Sequence, residues 1–212
     1  MHYVHEWLEL FRQELLHIDA IQVAVLIFGV SEVLLARANN ILLYPTGIIA
    51  TILGIFSLFS AQLYAECLLH AYYLVMSIYG WWYWAAKKKN AKAVEITFTS
   101  SKDWIITFVI VFGGSVVLFL FLSNMTDSQV PAWDAWVSAT GWAGMWLLAK
   151  RKIENWLLLN ISNAFAIPLL FYKGLPLLGL LTLFLFIVAC KGYFGWLKIA
   201  RKRMIRESVT TF

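Results

Sequence analysis

The sequence predicts an all-α membrane protein with seven transmembrane helices in a 3+1+3 arrangement, in which one linker helix joins two parallel three-helix repeats. Three observations predict this fold. The chain contains an internal repeat, its composition is too apolar for a soluble domain, and its cationic residues cluster at alternate junctions between apolar stretches.

The internal repeat relates the two ends of the chain. The motif LLAR at 34–37 returns about 113 residues later as LLAK at 147–150, and each copy is followed by a glycine-aromatic segment, at 80–84 and at 192–196. Many transporters are built from two related halves that move about a shared site near the middle of the membrane. The repeat therefore makes transport the leading functional hypothesis.

Composition places the chain in a membrane. Hydrophobic residues make up 61% of it and charged residues 14%, whereas soluble domains carry about a quarter charged residues. A helix needs about 20 apolar residues to cross the roughly 30 Å hydrocarbon core. We identify seven such stretches, at 19–36, 41–59, 63–86, 104–122, 133–149, 154–172 and 175–197.

The repeat explains the odd number of spans. Three helices belong to each copy, and one linker helix returns the chain to its starting side, so that both copies insert with the same orientation. Parallel repeats of this kind are known in the SWEET sugar transporters. The predicted units are an N-terminal segment (1–18), a first repeat (19–86), the linker helix (104–122), a second repeat (133–197) and a tail (198–212).

Cationic residues mark one side of the membrane. Of the 17 lysines and arginines, 14 follow spans 1, 3, 5 and 7, at 37, 87–102, 150–152 and 198–206. The positive-inside rule puts these junctions and the C-terminal tail in the cytoplasm, and the N-terminus outside. Basic clusters of this kind are typical of membrane flanks, so we expect contact with lipid and no nucleic-acid partner.

Polar side chains within the spans are candidates for a binding site, because each is costly in hydrocarbon and tends to face a cavity or a partner. In span 6, Asn160 and Asn163 are three residues apart and project from one helix face. Amides suit a neutral or delocalised polar ligand. The alternative is contact between helices through amide hydrogen bonds.

Span 3 carries Glu66 and His70 one turn apart, followed by Tyr73. A Glu-His pair can bind a proton or a metal, yet the sequence has no second ligand cluster to complete a metal site. We therefore predict that these side chains line a pore or pair locally, with no metal and no cofactor.

Two further features leave alternatives open. Trp81 and Trp84 at the end of span 3 either belong to an interfacial aromatic belt or stack on a planar heterocycle, where a cationic ring gains additional attraction. Glu32 and Lys191 are the other charges within spans. Glu32 is compatible with a cationic ligand and Lys191 with snorkelling toward the cytoplasm, and the sequence does not choose a role for either.

Other classes of protein fit the chain less well. An intramembrane enzyme needs a nucleophile with a base, or a metal set, at matching depth. The pair of Glu66 and His70, with Cys67 and Cys190 on separate spans, does not supply one. A seven-helix receptor has the same span count, but the internal repeat and the short cytoplasmic loops argue against it.

The chain contains four distinctive segments: QLYA at 62–65, SIYGWWYW at 77–84, WD at 133–134 and KIENWLL at 152–158. By their order and spacing, the chain resembles the PnuC family of bacterial vitamin transporters over roughly residues 18–200. The W-x-x-W motif of the family is present as Trp81 and Trp84, and its N-x-x-N motif as Asn160 and Asn163.

The resemblance implies a SWEET-like fold, a homo-oligomer that is often a trimer, and the bacterial inner membrane. It implies uptake of nicotinamide riboside, a neutral ribose on a cationic pyridinium, by facilitated diffusion, after which a cytoplasmic kinase traps the vitamin by phosphorylation. We expect alternating access, with the heterocycle against Trp81, Trp84 or Tyr73. Asn160 and Asn163 would then hydrogen-bond hydroxyls or ring nitrogens.

Three residues depart from the pattern expected of nicotinamide riboside transporters. His70 stands where we expect glutamine, Ala50 where we expect asparagine, and Leu159 where we expect an aromatic residue. Such changes alter the polarity of a pocket, and they are consistent with another planar cationic vitamin, especially thiamine, which a sister branch of the family carries. Thiamine uptake by the same mechanism is the alternative function.

Overall fold

The computed structural model describes residues 9, 11–13, 15, 16, 18–60, 64–89 and 94–210, without the side chains of 64–66, 68, 87–89 and 206–210. These residues are almost entirely helical, apart from one isolated β-bridge between Thr97 and Lys152. The helices are α1 (Ala20–Arg37), α2 (Leu43–Ser60), α3 (Tyr64–Lys89), α4 (Ser101–Met125), α5 (Pro131–Ala149), α6 (Asn155–Tyr172) and α7 (Pro176–Thr210). The predicted all-α class is confirmed.

Within the described part of the chain, α1, α2, α4, α6 and α7 are long and apolar enough to cross a membrane, judged by length and composition. The other two helices are less apolar, because α3 is rich in tyrosine and ends in lysines, while α5 is rich in tryptophan, alanine and glycine. Helix α7 continues to Thr210, so residues 198–210 prolong the last span as helix.

Local sequence signals set the helix starts. Asp19 and Gln22 form a capping box before α1, in which Gln22 N–H donates to Asp19 Oδ1 over 2.7 Å and Asp19 N–H donates to Gln22 Oε1 over 3.2 Å. The Ser100 hydroxyl accepts a hydrogen bond from Asp103 N–H at the start of α4. Pro131 occupies the first position of α5, where its missing N–H costs nothing.

The turns after α1 and α5 have the same geometry. Asn39 ends the first with φ 55°, and Arg151 ends the second with φ 58°. Each turn is closed by a 2.9 Å hydrogen bond, from Asn40 N–H to Leu35 O and from Lys152 N–H to Leu147 O, as in a Schellman motif. The two turns are 112 residues apart (Asn39 to Arg151), which fixes the register of the repeat.

The helix contacts repeat in the same way. Helix α2 packs against α1 and α3, and α6 packs against α5 and α7. Two further contacts join these sets, between α3 and α5 and between α7 and α1, so six helices enclose a central space. Helix α4 packs against α5 on the outside of this ring.

Buried side chains concentrate at the end of the ring that carries Arg37, Lys150 and Lys198, called the basic end below. There Tyr44, Trp84, Trp156 and Trp196 are at most 3% exposed and belong to one apolar cluster. In α2, by contrast, no described side chain after Gly54 is buried. At the opposite end, α2 therefore packs more loosely, whereas α4 and α5 are still packed against each other through Leu118, Leu122 and Ala135.

The segment before α4 strengthens this packing. Val94 and Ile96 are buried in the same apolar cluster. Thr97 N–H donates to Arg151 O over 3.2 Å and Thr97 O accepts from Ile153 N–H over 3.1 Å. The segment thus crosses the basic end and holds the turn between α5 and α6.

Candidate functional site

A cavity of about 310 Å³ lies inside the ring of six helices. Each of α1, α2, α3, α5, α6 and α7 contributes lining residues. The side of the cavity formed by α1, α2 and α3 is polar, and its polar side chains are Glu32, Thr51, His70, Tyr73 and Ser77. The side formed by α5, α6 and α7 is mainly apolar, with Ser162 and Asn163 as its polar side chains.

Equivalent positions of the two sequence repeats contribute to the lining of the cavity. Twelve lining residues form six pairs at the 112-residue spacing: Gly29 with Gly141, Val33 with Met145, Ala50 with Ser162, Thr51 with Asn163, Tyr73 with Leu185, and Ser77 with Ala189. Equivalent positions of the two copies therefore border one space, and they differ most where the polar Tyr73 and Ser77 correspond to the apolar Leu185 and Ala189.

Glu32 is the acidic side chain of this cavity. Its carboxylate packs against Gly47 of α2, where an added Cβ would overlap it. No hydrogen bond or ion pair joins it to another described residue, and no lysine or arginine is among the lining residues that the structure describes. Glu32 thus presents an uncompensated carboxylate to a space inside the bundle.

The predicted residues His70 and Tyr73 both line the cavity. Their rings meet edge to face with centroids 5.9 Å apart. The absence of a side chain at Gly141 lets the Tyr73 hydroxyl approach, since a Cβ there would lie 3.0 Å from it. The two rings form a continuous aromatic surface on α3.

Two further lining residues carry polar atoms without a partner in the described structure. Ser77 is fully buried and its hydroxyl makes no hydrogen bond. The indole N–H of Trp156, also fully buried, is likewise unpaired. Because unpaired buried polar groups are costly, these atoms are suited to bind polar groups of a ligand.

The predicted asparagine pair is divided between two environments. Asn163 lines the cavity, whereas Asn160 donates from Nδ2 to Cys190 Sγ of α7 over 3.4 Å and does not line it. A three-residue step rotates a side chain by about 60° around the helix axis. This rotation is enough to put Asn160 between α6 and α7.

The predicted tryptophan pair lies outside the cavity. Trp81 is 43% exposed on the surface of α3. Trp84 is buried, and its indole N–H donates to Ala149 O of α5 over 3.0 Å. Its equivalent in the second copy, Trp196, donates to Ala36 O of α1 over 3.2 Å. Each of these tryptophans therefore joins its own copy of the repeat to the other.

The remaining predicted residue, Glu66, lies in α3, and its side chain is outside the described part of the structure. Among the residues that are described, no group of three histidine, cysteine or acidic side chains is positioned to hold a metal ion.

Comparison with known proteins places the chain in a family. The sequence profile of the nicotinamide mononucleotide transporter family matches residues 19–198. The chain belongs to this family. It is a multi-pass membrane protein and a transporter rather than an enzyme.

Curated relatives and a solved structure agree with this assignment. The chain is similar to the nicotinamide riboside transporter PnuC of Escherichia coli (strain K12) and to that of Shigella flexneri, each 26% identical over 195 residues, covering 80% of this chain and 81% of the relative. Its fold is similar to that in the crystal structure of the vitamin B3 transporter PnuC. The TM-score is 0.68 at 19% identity, over 94% of this chain and 90% of the other.

Sequence reasoning did not select several lining residues of this family member. Glu32 was compatible with a cationic ligand, but nothing in the sequence gave the direction of its side chain. Trp156 resembled the many tryptophans of a membrane boundary. Thr51 could have been identified from the repeat, because it lies 112 residues before Asn163. The spacing of about 113 residues taken from the leucine motifs does not pair these two positions.

Proposed function

We propose that the chain takes up nicotinamide riboside across the bacterial inner membrane. The observation that carries this proposal is the central cavity, which combines aromatic surfaces with amide and hydroxyl groups and is lined by equivalent positions of the two repeats. Its volume of about 310 Å³ is at the lower end of the roughly 300–1,000 Å³ typical of small-molecule sites.

The chemistry of the lining matches the parts of a riboside. Tyr73 offers an aromatic face to the pyridinium ring, which is attracted to it by cation–π interaction, and the buried Trp156 borders the same space. Asn163, Ser77 and Thr51 offer an amide and two hydroxyls for the ribose and the carboxamide. Together with His70, these residues are the substrate contacts we propose.

Charge favours the riboside over its phosphate. The family description names the mononucleotide and the two curated relatives are named for the riboside. A phosphate adds about −1.5 to −2 charge and is usually bound by arginine or lysine. The described lining residues include neither, and Glu32 would repel a phosphate. The mononucleotide is therefore a poor ligand for this cavity.

The two predicted tryptophans take a different role in this proposal. Trp84 and Trp196 fasten the basic end through their hydrogen bonds to Ala149 and Ala36, and we call these two bonds the tryptophan latch. Trp81 faces outward, where the aromatic belt of a membrane boundary lies. Asn160 stabilises the contact between α6 and α7.

We infer that the helices form a 3+1+3 arrangement of two parallel repeats, with all seven crossing the membrane. The matching turns after α1 and α5, the paired lining residues and the position of α4 outside the ring support it. We place the basic end in the cytoplasm by the positive-inside rule. The N-terminus is then outside, and the homo-oligomer implied by the resemblance remains a prediction.

Alternating access follows from this arrangement. Because the basic end is tightly packed and we place it in the cytoplasm, we infer that the described conformation is closed toward the cytoplasm. Release of the substrate inward requires α3 to separate from α5 and α7 from α1, which breaks the tryptophan latch. Transport is then facilitated diffusion, and phosphorylation by a separate kinase keeps the vitamin inside.

Thiamine uptake is the second candidate, and one observation favours it. The three residues that depart from the expected pattern, Ala50, His70 and Leu159, all line the cavity. The departures are thus concentrated where specificity is decided. Thiamine is also a planar cation, so it satisfies the same charge argument.

Calorimetric titration of the purified protein tests the proposal. Nicotinamide riboside, thiamine and nicotinamide mononucleotide are titrated in parallel, with Asn163→Leu as a variant that removes a cavity amide. Micromolar binding of nicotinamide riboside alone supports the proposal. Binding of thiamine alone replaces it by the second candidate, and tight binding of the mononucleotide contradicts the charge argument.

A further inference from the structure

The Glu32 carboxylate fits closely into a space in the cavity wall. Gly47 of α2 leaves the space that the carboxylate fills, since an added Cβ would overlap it. Glu32 lies five residues before the end of α1, about 7.5 Å along the helix axis. The carboxylate is therefore held inside the bundle, beside the cavity and away from the basic surface.

The second repeat fills the same contact from the opposite helix. The residues equivalent to Glu32 and Gly47 are Gly144 and Leu159, 112 positions later. Here the glycine is on the first helix and the large side chain on the second, and a Cβ on Gly144 would lie 2.7 Å from Leu159 Cδ2. Both repeats therefore pack a large side chain against a glycine at this contact, but the large side chain is on the first helix in one repeat and on the second helix in the other. An acidic side chain occupies this contact in the first repeat only.

An unpaired carboxylate inside a membrane protein is costly. The described residues offer Glu32 neither a hydrogen bond nor a lysine or arginine in the cavity, where His70 and Tyr73 are the other titratable lining residues. A permanent cation in the cavity supplies the missing countercharge. A neutral ring of the same shape does not.

We propose that Glu32 is the charge-selecting residue of the site, pairing with the cationic ring of the vitamin. This inference rests on the proposed function and specifies it: the substrates are N-substituted aromatic cations. It also orients the ligand, with the ring nitrogen toward α1 and α2 and an aromatic face toward Trp156. The apolar wall formed by Met145 and Leu159 then covers the uncharged part of the ring.

The test compares two ligands that differ in ring charge. Nicotinamide riboside is cationic, whereas reduced nicotinamide riboside has the same ribose and carboxamide on an uncharged ring. Dissociation constants are measured by calorimetry for the wild type, Glu32→Gln and Gly47→Ala. Gly54→Ala, on the same helix as Gly47, is the matched control. A Cβ at Gly54 would lie 3.6 Å from Cδ2 of His70, which is an ordinary contact distance.

Glu32→Gln is expected to weaken binding of the cation by on the order of ten- to a hundredfold and to leave binding of the reduced riboside within about threefold. Gly47→Ala displaces the carboxylate and is expected to reduce the same cation preference. Gly54→Ala leaves both affinities near those of the wild type. Thermal unfolding of each variant identifies any that fails to fold.

The outcomes separate the inference from the proposed function. The charge-selecting role is wrong if the wild type binds nicotinamide riboside and Glu32→Gln either weakens the binding of both ligands equally or leaves the binding of both unchanged. If Glu32→Gln does not fold, an unchanged cation preference in Gly47→Ala overturns it. A wild type that binds thiamine instead overturns the riboside proposal, and loss of thiamine affinity in Glu32→Gln then still supports charge selection.

Discussion

Arg151 donates a 2.8 Å hydrogen bond from Nε to Asn39 Oδ1, although the two residues occupy the same position in the two copies of the repeat. Residues related by a two-fold axis touch each other only where they lie close to that axis. The axis therefore passes near this contact, between the turns that follow α1 and α5. The guanidinium also lies 3.9 Å above the Trp84 ring, so the contact is continuous with the tryptophan latch.

The latch predicts matching effects of two distant substitutions. Trp84→Phe and Trp196→Phe each remove an indole donor and leave the carbonyl of Ala149 or Ala36 without it. Each is expected to lower the free energy of unfolding by about 1–3 kcal/mol. Unfolding in detergent measures this, with Trp82→Phe, 64% exposed, as the control. An effect of one latch variant but not the other would contradict their equivalence.

The glycines beneath the latch give a steric prediction. A Cβ at Gly192 would lie 2.7 Å from the Trp156 ring, and one at Gly80 would overlap the Tyr44 ring. Gly80→Ala and Gly192→Ala are each expected to destabilise the protein by about 1–3 kcal/mol through overpacking. Gly195→Ala, which meets nothing within 4 Å, is the control, and equal melting temperatures for all three variants would refute the predicted packing.

The two asparagines of α6 are predicted to behave differently. Asn163→Leu removes an amide from the cavity, so we expect it to abolish measurable binding of nicotinamide riboside while the protein still folds. Asn160→Leu removes the contact with Cys190 outside the cavity and should leave affinity within about threefold of the wild type, as expected for residues outside a binding hot spot. Calorimetry on both variants measures this difference. Equal losses of affinity would support the sequence-based prediction that Asn160 and Asn163 both bind the ligand.

Specificity is predicted to depend on the residues that depart from the expected pattern. His70→Gln and Ala50→Asn each place an expected residue on the cavity wall. Together they should shift the ratio of the affinities for nicotinamide riboside and thiamine toward the riboside by about tenfold or more, since new buried hydrogen bonds are worth about 1 kcal/mol each. Competition binding with both vitamins measures the ratio, and an unchanged ratio would show that specificity lies elsewhere.

Five of the described helices (α1, α2, α4, α6 and α7) were predictable because membrane spans follow from length and apolar composition. The repeat was visible in its leucine and tryptophan motifs. Asn163 and His70 were found because polar residues at membrane depth are rare. The sequence did not predict that Trp84 lies outside the cavity. Trp84 is on nearly the same face of α3 as the lining residue Ser77 but about 10.5 Å further along the helix, and the sequence did not give the depth at which the cavity ends. Glu32 needed the structure because only its contact with Gly47 reveals the direction of its side chain.

Uptake of labelled nicotinamide riboside into liposomes that contain the purified protein tests the central claim most directly. We predict saturable uptake that stops when the inner and outer concentrations are equal, is reduced by excess unlabelled riboside, and falls to the level of protein-free liposomes for Asn163→Leu. Uptake by the folded wild-type protein no faster than in protein-free liposomes would contradict the account.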